Sequence, residues 1–206
     1  MNPAIFEILG QVAGKTVLDA GCGQGYLSRL LAAKGAAVTG IEPSEPWYCY
    51  AVRQEQAEPC GIHYVQADLS TWTALPDAFD VVIANMVLMD IPDYLFALRA
   101  CIASLKPGGS LIISLLHPCF EEPGSEWKDK GSVEVREYFQ ERVIQQTAAP
   151  FIHRPLSTYL NSIIAEGCIL HKVIEPRLDD ALAQQYQAQR YSHVPGYLVI
   201  HALKSS

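Results

Sequence analysis

Residues 17–31 read VLDAGCGQGYLSRLL: an apolar run, three glycines at alternate positions, then leucines spaced for one face of a helix. A strand that enters a helix through such a turn is the unit from which parallel sheets are built. The same exchange recurs along the chain. Apolar runs of β type at 16–19, 37–42, 63–66, 79–84 and 110–115 are separated by helical patterns, and two more follow at 169–175 and 197–203. The alternation predicts an α/β fold with a doubly wound, mostly parallel sheet covered on both faces. No helical pattern between the last two runs is strong enough to force a parallel crossover, so an antiparallel edge is expected there.

The helices and turns follow local signals. Leu27, Leu30 and Leu31 share a face, and Lys34-Gly35 supplies a basic last turn and a terminating glycine. Leu95, Leu98, Ile102 and Leu105 repeat at helical spacing until KPGG stops the helix and turns the chain into the run that opens at Ser110. Ser157 reads as the N-cap of a helix carrying Tyr159, Leu160, Ile163 and Ile164, closed by Gly167. Between these, EEPGSEWKDKG (121–131) reads as a mobile loop. SVEVREYFQERVIQQ alternates Val133, Val135 and then Tyr138, as an added strand or hairpin would. An insertion after the fifth strand lies near the crevice where open α/β sheets bind ligands. The expected organisation is one domain over 1–206, with 117–160 as a lid and acceptor-binding insertion.

A chain of 206 residues, half of them hydrophobic, is long enough to bury a core as one domain. Its formal net charge of −7 and pI near 5.3 argue against a partner held through phosphates, so no nucleic acid is expected. Six cysteines, at 22, 49, 60, 101, 119 and 168, form no CxxC pair and no spacing suited to zinc. They read as reduced thiols of a cytoplasmic protein, with no metal. The N-terminal MNPAIFEILGQVAGK has no basic region or cleavage site of an export signal, and no apolar run reaches the ~18 residues of a membrane span.

What the glycine turn holds depends on its neighbours. A G-x-G-x-x-G turn suits a dinucleotide, whose third glycine lets helix and strand pack closely. Here Gly21, Gly23 and Gly25 read G-x-G-x-G, with Tyr26 and Leu27 where that third glycine would be sought. Asp19 at the mouth of the turn would repel a pyrophosphate and attract an ammonium or sulfonium. Glu42 closes the second strand, where an acidic side chain accepts hydrogen bonds from ribose hydroxyls. That position indicates a nucleoside without saying which one.

VLDAGCGQG, VTGIEPS, VQADLS, FDVVIANMVL and LKPGGSLIIS together resemble, in order and separation, the successive motifs of class I S-adenosylmethionine-dependent methyltransferases of small-molecule type. The likeness is strong over 10–116 and weaker over HRPLSTYLNSIIAEGCILHKVIEP and GYLVIHALK. It implies a Rossmann-like sheet of seven strands with an antiparallel last strand, S-adenosyl-L-methionine as cofactor and S-adenosyl-L-homocysteine as product. It implies that Asp19 anchors the methionine ammonium, directly or through water, while Gly21, Cys22 and Gly23 pass the backbone close to the ligand and Gln24, Gly25 and Tyr26 shape the wall. Glu42 would bind the ribose diol, Pro43 and Ser44 would border the adenine, and Asp68 with Leu69 would read its edge. Asn85 would offer its carbonyl to the ammonium, with Met86 packed nearby.

Each residue also has a plain structural reading: a tight turn for the glycines, a solvated strand end for Glu42, a helix cap for Asp68. Methyl transfer is an in-line displacement that alignment alone accelerates, so a base is needed only where the acceptor must lose a proton. His117, just past the fifth strand, is the first candidate for that role and His153 the second, with Arg154 able to bind an acidic acceptor or to brace the helix after it. The acceptor is expected to be a small molecule methylated on oxygen or nitrogen, since NMVL lacks the Pro-Pro-aromatic signature of enzymes that methylate nucleic-acid or glutamine amides. Many relatives carry a longer segment ahead of the glycine turn that closes over the donor. Either residues 120–155 or the partner subunit of a homodimer therefore close this site, or the site is unusually open. The alternatives are a nicotinamide-dependent oxidoreductase, disfavoured by the displaced glycine and the lack of a Tyr-x-x-x-Lys pair, and a protein that binds the donor without turnover.

Overall fold

The computed structural model describes residues 2–120, 131–145 and 150–205. In chain order the elements are α1 (Asn2–Leu9), β1 (Thr16–Ala20), α2 (Tyr26–Ala32), β2 (Ala37–Glu42), α3 (Glu45–Ala57), β3 (His63–Gln66) and β4 (Phe79–Asn85). A 3-10 turn (Leu88–Asp90) leads to α4 (Tyr94–Ser104), β5 (Leu105–Leu116), β6 (Arg142–Ile144), β7 (Phe151–His153) and α5 (Leu156–Ala165). The chain continues through β8 (Cys168–Ile174), α6 (Asp180–Gln185), α7 (Arg190–His193) and β9 (Tyr197–Lys204). No described helix is long and apolar enough to cross a membrane.

Seven strands form one sheet in the order β3-β2-β1-β4-β5-β9-β8, parallel from β3 to β5 and antiparallel on both sides of β9. The strands lie where the apolar runs placed them. Side chains alternate between the faces, as the pleat requires. Leu18, Val82, Ala84, Leu111 and Ile113 pack with Tyr94, Leu98, Tyr159 and Ile163 of α4 and α5, whereas Val17, Val38, Val81, Ile83 and Ile112 pack with Ile5, Leu27, Leu31 and Ala51 of α1, α2 and α3. Because both faces are covered, the central strands read as continuous apolar runs rather than alternating ones.

Three local expectations are corrected. KPGG does not stand outside the fifth strand: Phe79 pairs with Leu105 and Val81 with Ser110, so residues 106–109 bulge opposite Asp80 within one continuous β5. Asp80 holds the bulge, accepting from Lys106 Nζ at 2.7 Å and from the Thr16 backbone N–H at 2.8 Å, and these partners lower its carboxyl to about 2. Ser157 is not the N-cap of α5: the N-cap lies two residues earlier, at Pro155, and has no side-chain cap. The Leu156 N–H instead donates to the Tyr138 hydroxyl at 2.9 Å, so the insertion itself closes the helix end. The alternation of Val133 and Val135 forms no strand, but the same segment does supply one strand of a hairpin, Arg142–Ile144, which pairs with Phe151–His153. The loop reading of 121–130 lies outside the described residues.

Candidate functional site

The carboxyl ends of β1 to β4 open into a cavity of about 610 Å³, within the roughly 300–1,000 Å³ typical of small-molecule sites. Its wall follows the strand order. Asp68, Leu69 and Ser70 come from the end of β3, Glu42, Pro43 and Trp47 from β2 and the start of α3, Gly21 and Gly23 from the turn after β1, and Met86 to Val87 with Asp90 to Asp93 from the segment after β4.

The glycine turn is pinned from two sides. Gly21 and Cys22 both donate their backbone N–H to the Ile41 carbonyl at 2.9 Å, and Gly23 donates to Glu42 Oε2 at 2.8 Å. Gly21 has φ +76°, and a Cβ there would drive into the Val87 side chain, so only glycine lets the segment after β4 approach β1. Gly25 has φ +81° and lies under the Tyr64 ring, where a Cβ would strike the hydroxyl. At Gly23 an added Cβ would meet nothing within 4 Å, as expected of backbone that faces the open cavity. Each glycine thus answers a different neighbour.

Glu42 is buried at the cavity floor. Its Oε2 takes the Gly23 N–H and its Oε1 the Ser44 N–H at 2.9 Å, which leaves further lone pairs on both oxygens. Asp68 uses Oδ1 to accept from the Ser70 N–H and hydroxyl, at 2.8 and 2.7 Å, and still forms part of the wall. The turn and the cavity both use this residue. Met86 lies in the left-handed region at φ +61°, an uncommon conformation for a side chain of its kind, and its N–H is held by the Ser114 carbonyl at 3.0 Å.

Other expected residues stand behind the wall. Asp19 shares a sheet face with Val17, so its side chain points under α2, where Ser28 Oγ donates to it at 2.6 Å. Burial pushes the Asp19 carboxyl up to about 6, against the hydrogen bonds from Ser28. Cys22 turns its thiol into the core, Gln24 and Tyr26 are exposed on the outer edge of the turn, and the Asn85 side chain accepts from Ser114 Oγ at 2.6 Å.

Neither candidate histidine lines this cavity. His117 is buried: its Nδ1 accepts the Cys119 N–H at 3.2 Å, so the ring proton lies on Nε2, which donates to Glu175 Oε1 at 2.8 Å. His153 Nε2 donates to the Tyr138 carbonyl at 2.7 Å. Arg154, 1% exposed, stacks on the Tyr94 ring and donates to the carbonyls of Ile91 and Pro92 at 3.0 and 2.7 Å. It braces the cavity wall rather than presenting its charge to a ligand. Sequence reasoning missed Trp47 and the run from Val87 to Asp93. Their signal was position, an aromatic two residues into the helix after Glu42 and a pair of acids just beyond β4.

The wall carries Glu42, Asp68, Asp90 and Asp93, and no Lys, Arg or His among its described residues. A pyrophosphate would find no counter-charge there. A cationic ligand with a diol and a flat ring finds carboxylates and the half-exposed Trp47 indole. No group of three or more His, Cys, Asp or Glu among the described residues is placed to hold a metal ion.

Comparison with known proteins agrees with this geometry. A family model described as a methyltransferase domain matches residues 4–155. The crystal structure of an S-adenosylmethionine-dependent methyltransferase from Mesorhizobium loti superposes with a TM-score of 0.87 at 27% identity, covering 98% of this chain and 96% of that one. A Burkholderia thailandensis 1,6-didemethyltoxoflavin-N1-methyltransferase with bound S-adenosylhomocysteine shares the fold, with a TM-score of 0.67 at 21% identity over 99% of this chain and 76% of that one. Ubiquinone biosynthesis O-methyltransferase of Coxiella burnetii is 34% identical over 124 residues, 59% of this chain and 53% of that protein. The chain thus spans about half the length of the curated relatives it matches.

Proposed function

Because the chain belongs to the class I S-adenosylmethionine-dependent methyltransferases, we propose that it methylates an oxygen or nitrogen of a small molecule, with oxygen the first expectation. The name of the Coxiella relatives supports oxygen. The observation that carries the reading is Glu42, whose carboxylate ties the glycine turn to the end of β2 and keeps lone pairs for a diol.

In this reading Glu42 receives the ribose hydroxyls, Pro43, Ser44 and Trp47 border the adenine, and Asp68 with Leu69 reads its edge. Gly21, Cys22 and Gly23 carry the backbone past the methionine part, with Gln24, Gly25 and Tyr26 shaping the turn. Asn85 and Met86 form the opposite wall, and Asp19 acts on the ammonium from beneath the turn, through water. When bound, S-adenosylmethionine supplies a methyl group on a sulfonium, already a good electrophile. The protein's task is then alignment and exclusion of water. Residues 117–160, including His117 and His153, would form the acceptor side of a single domain. The partners of both histidines favour a role in holding that segment in place.

Calorimetry tests the donor assignment: S-adenosylmethionine and S-adenosylhomocysteine should bind, and NAD should not. Binding of NAD without either would overturn it. Labelled methyl transfer to a panel of phenols and amines then tests the acceptor class, and transfer to neither would overturn it.

A further inference from the structure

Arg190 is a buried cation without a counter-charge. The residue is 8% exposed, and its Nε is enclosed with no hydrogen bond. Its Nη2 donates to the Phe120 carbonyl, and its guanidinium lies 5.6 Å from the centre of the Tyr191 ring. The third nitrogen, Nη1, has no partner among the described residues and is not enclosed. The acids of the neighbouring segments are spent elsewhere, Glu175 on His117 and Asp180 on Arg177. Arg154, the other buried arginine, differs in having three carbonyls and, at 3.4 Å, the Glu141 carboxylate. A guanidinium stays protonated at any working pH, so Arg190 cannot escape its burial by losing a proton. One neutral carbonyl does not balance the charge, and an anion at Nη1 would offset the cost.

The sheet order places this cation beside the donor cavity. Arg190 opens α7, which leads into β9, and β9 runs antiparallel to β5 with Tyr197 opposite Leu116. The His117 N–H donates to the Gly196 carbonyl at 3.0 Å, and Phe120 follows on the same exit segment. The guanidinium therefore stands over the carboxyl end of β5 and the start of β9. Neighbouring strands lie about 4.8 Å apart, so one or two strand spacings separate it from the end of β4, where Met86 and Val87 close the cavity. With the nucleoside over β2 and β3, a molecule that receives the methyl group enters from the β5 side. Arg190 itself does not line the donor cavity, which leaves its charge to that second molecule.

Resting on the donor reading above, we propose that Arg190 is the counter-charge for a carboxylate on the methyl acceptor. The acceptor is then a small acid whose oxygen or nitrogen lies toward β4 and whose carboxylate lies toward α7. A carboxylate fits better than a phosphate, because Glu42, Asp68, Asp90 and Asp93 line the adjoining cavity and repel a dianion more strongly.

The test uses thermal melts in saturating S-adenosylhomocysteine with benzoate as probe, benzamide as its neutral counterpart and inorganic phosphate as the competing anion. Benzoate should raise the melting temperature of the unaltered protein and benzamide should not. Arg190→Met should need about tenfold more benzoate or beyond for the same rise, and Arg190→Lys should recover part of the effect. No rise with benzoate, an equal rise in Arg190→Met, or a rise with phosphate alone would overturn the proposal. Weaker binding of S-adenosylhomocysteine by Arg190→Met would overturn it too, by assigning the guanidinium to the donor's own carboxylate. Labelled methyl transfer to hydroxy- and aminobenzoates against the matching amides ties the anion site to the reaction. The unaltered protein should prefer the acids and Arg190→Met should lose that preference. Equal transfer to the amides would overturn the proposal and leave the methyltransferase reading intact, and transfer to none of them would overturn the acceptor assignment whatever the melts show. Failure of the unaltered protein to bind S-adenosylhomocysteine would instead sink the donor reading on which the proposal rests.

Discussion

Glu42 Oε2 accepts the Gly23 backbone N–H at 2.8 Å, so the last residue of β2 fixes the turn that leaves β1. One side chain thus shapes the cavity floor and supplies its acceptors. Hydrogen bonds to a charged group contribute roughly 1.5–3 kcal/mol each. Glu42→Gln keeps one carbonyl acceptor and is expected to weaken S-adenosylhomocysteine about tenfold. Glu42→Ala removes both and should weaken it about a hundredfold, as calorimetry would read.

Gly21→Ala tests the close approach of the segment after β4. The new methyl group would occupy the space of the Val87 side chain on a backbone at φ +76°. Strain and overpacking together predict a loss of about 2–4 kcal/mol in denaturant unfolding. Gly23→Ala has open space and should lose only the conformational part, about 1–2 kcal/mol, while obstructing the ligand.

These glycines mark the limit of what the sequence makes legible. The continuous apolar run Val81, Val82, Ile83 and Ala84, buried on both faces, and the Leu27/Leu31 face of α2 are local patterns, so the sheet and its helices were readable before any coordinates. Glu42 was readable because a strand end at the sheet's carboxyl edge fixes where its carboxylate goes. Asp19 was harder to place. Its spacing from the glycines suggested an exposed anion, but its parity with Val17 turns it under α2 onto Ser28. The bracing role of Arg154 depends on contacts with residues more than 60 positions away, which no window of sequence contains.

His117→Ala tests whether the buried histidine is structural. With Nδ1 taken by the Cys119 N–H and Nε2 committed to Glu175, the ring joins the end of β5 to the residue after β8. Losing a buried hydrogen-bonded ring is expected to cost about 1–3 kcal/mol in thermal or denaturant unfolding, and S-adenosylhomocysteine affinity should not change.

Arg154→Met removes the donors that hold the cavity wall. The Ile91 and Pro92 carbonyls, now 3.0 and 2.7 Å from the guanidinium, would lose their partner. A cost of about 2–4 kcal/mol is expected, with faster amide exchange confined at first to residues 88–93. Arg154→Lys carries the charge but lacks the fork, and should recover part of the stability and little of the protection.

Asp19→Asn separates stability from binding. In the folded protein the buried carboxyl keeps its proton up to about pH 6, whereas the unfolded chain gives it up near 3.8. Between those values the folded state binds the extra proton, so stability is highest below pH 3.8, falls as pH rises through 6, and is level above. Asparagine stays neutral throughout, and the Ser28 hydroxyl can turn to accept from its amide. The variant should therefore be flat across that window and more stable than the unaltered protein at pH 7.5 by roughly 1–3 kcal/mol. The role proposed for Asp19 toward the donor's ammonium predicts the opposite sign for binding, a lower affinity for S-adenosylmethionine at the same pH. Thermal melts across pH 4–8 and calorimetry at pH 7.5 read the two effects separately. A melt that stays below the unaltered protein at pH 7.5 would mean that the hydrogen bond from Ser28 outweighs the cost of burying the charge.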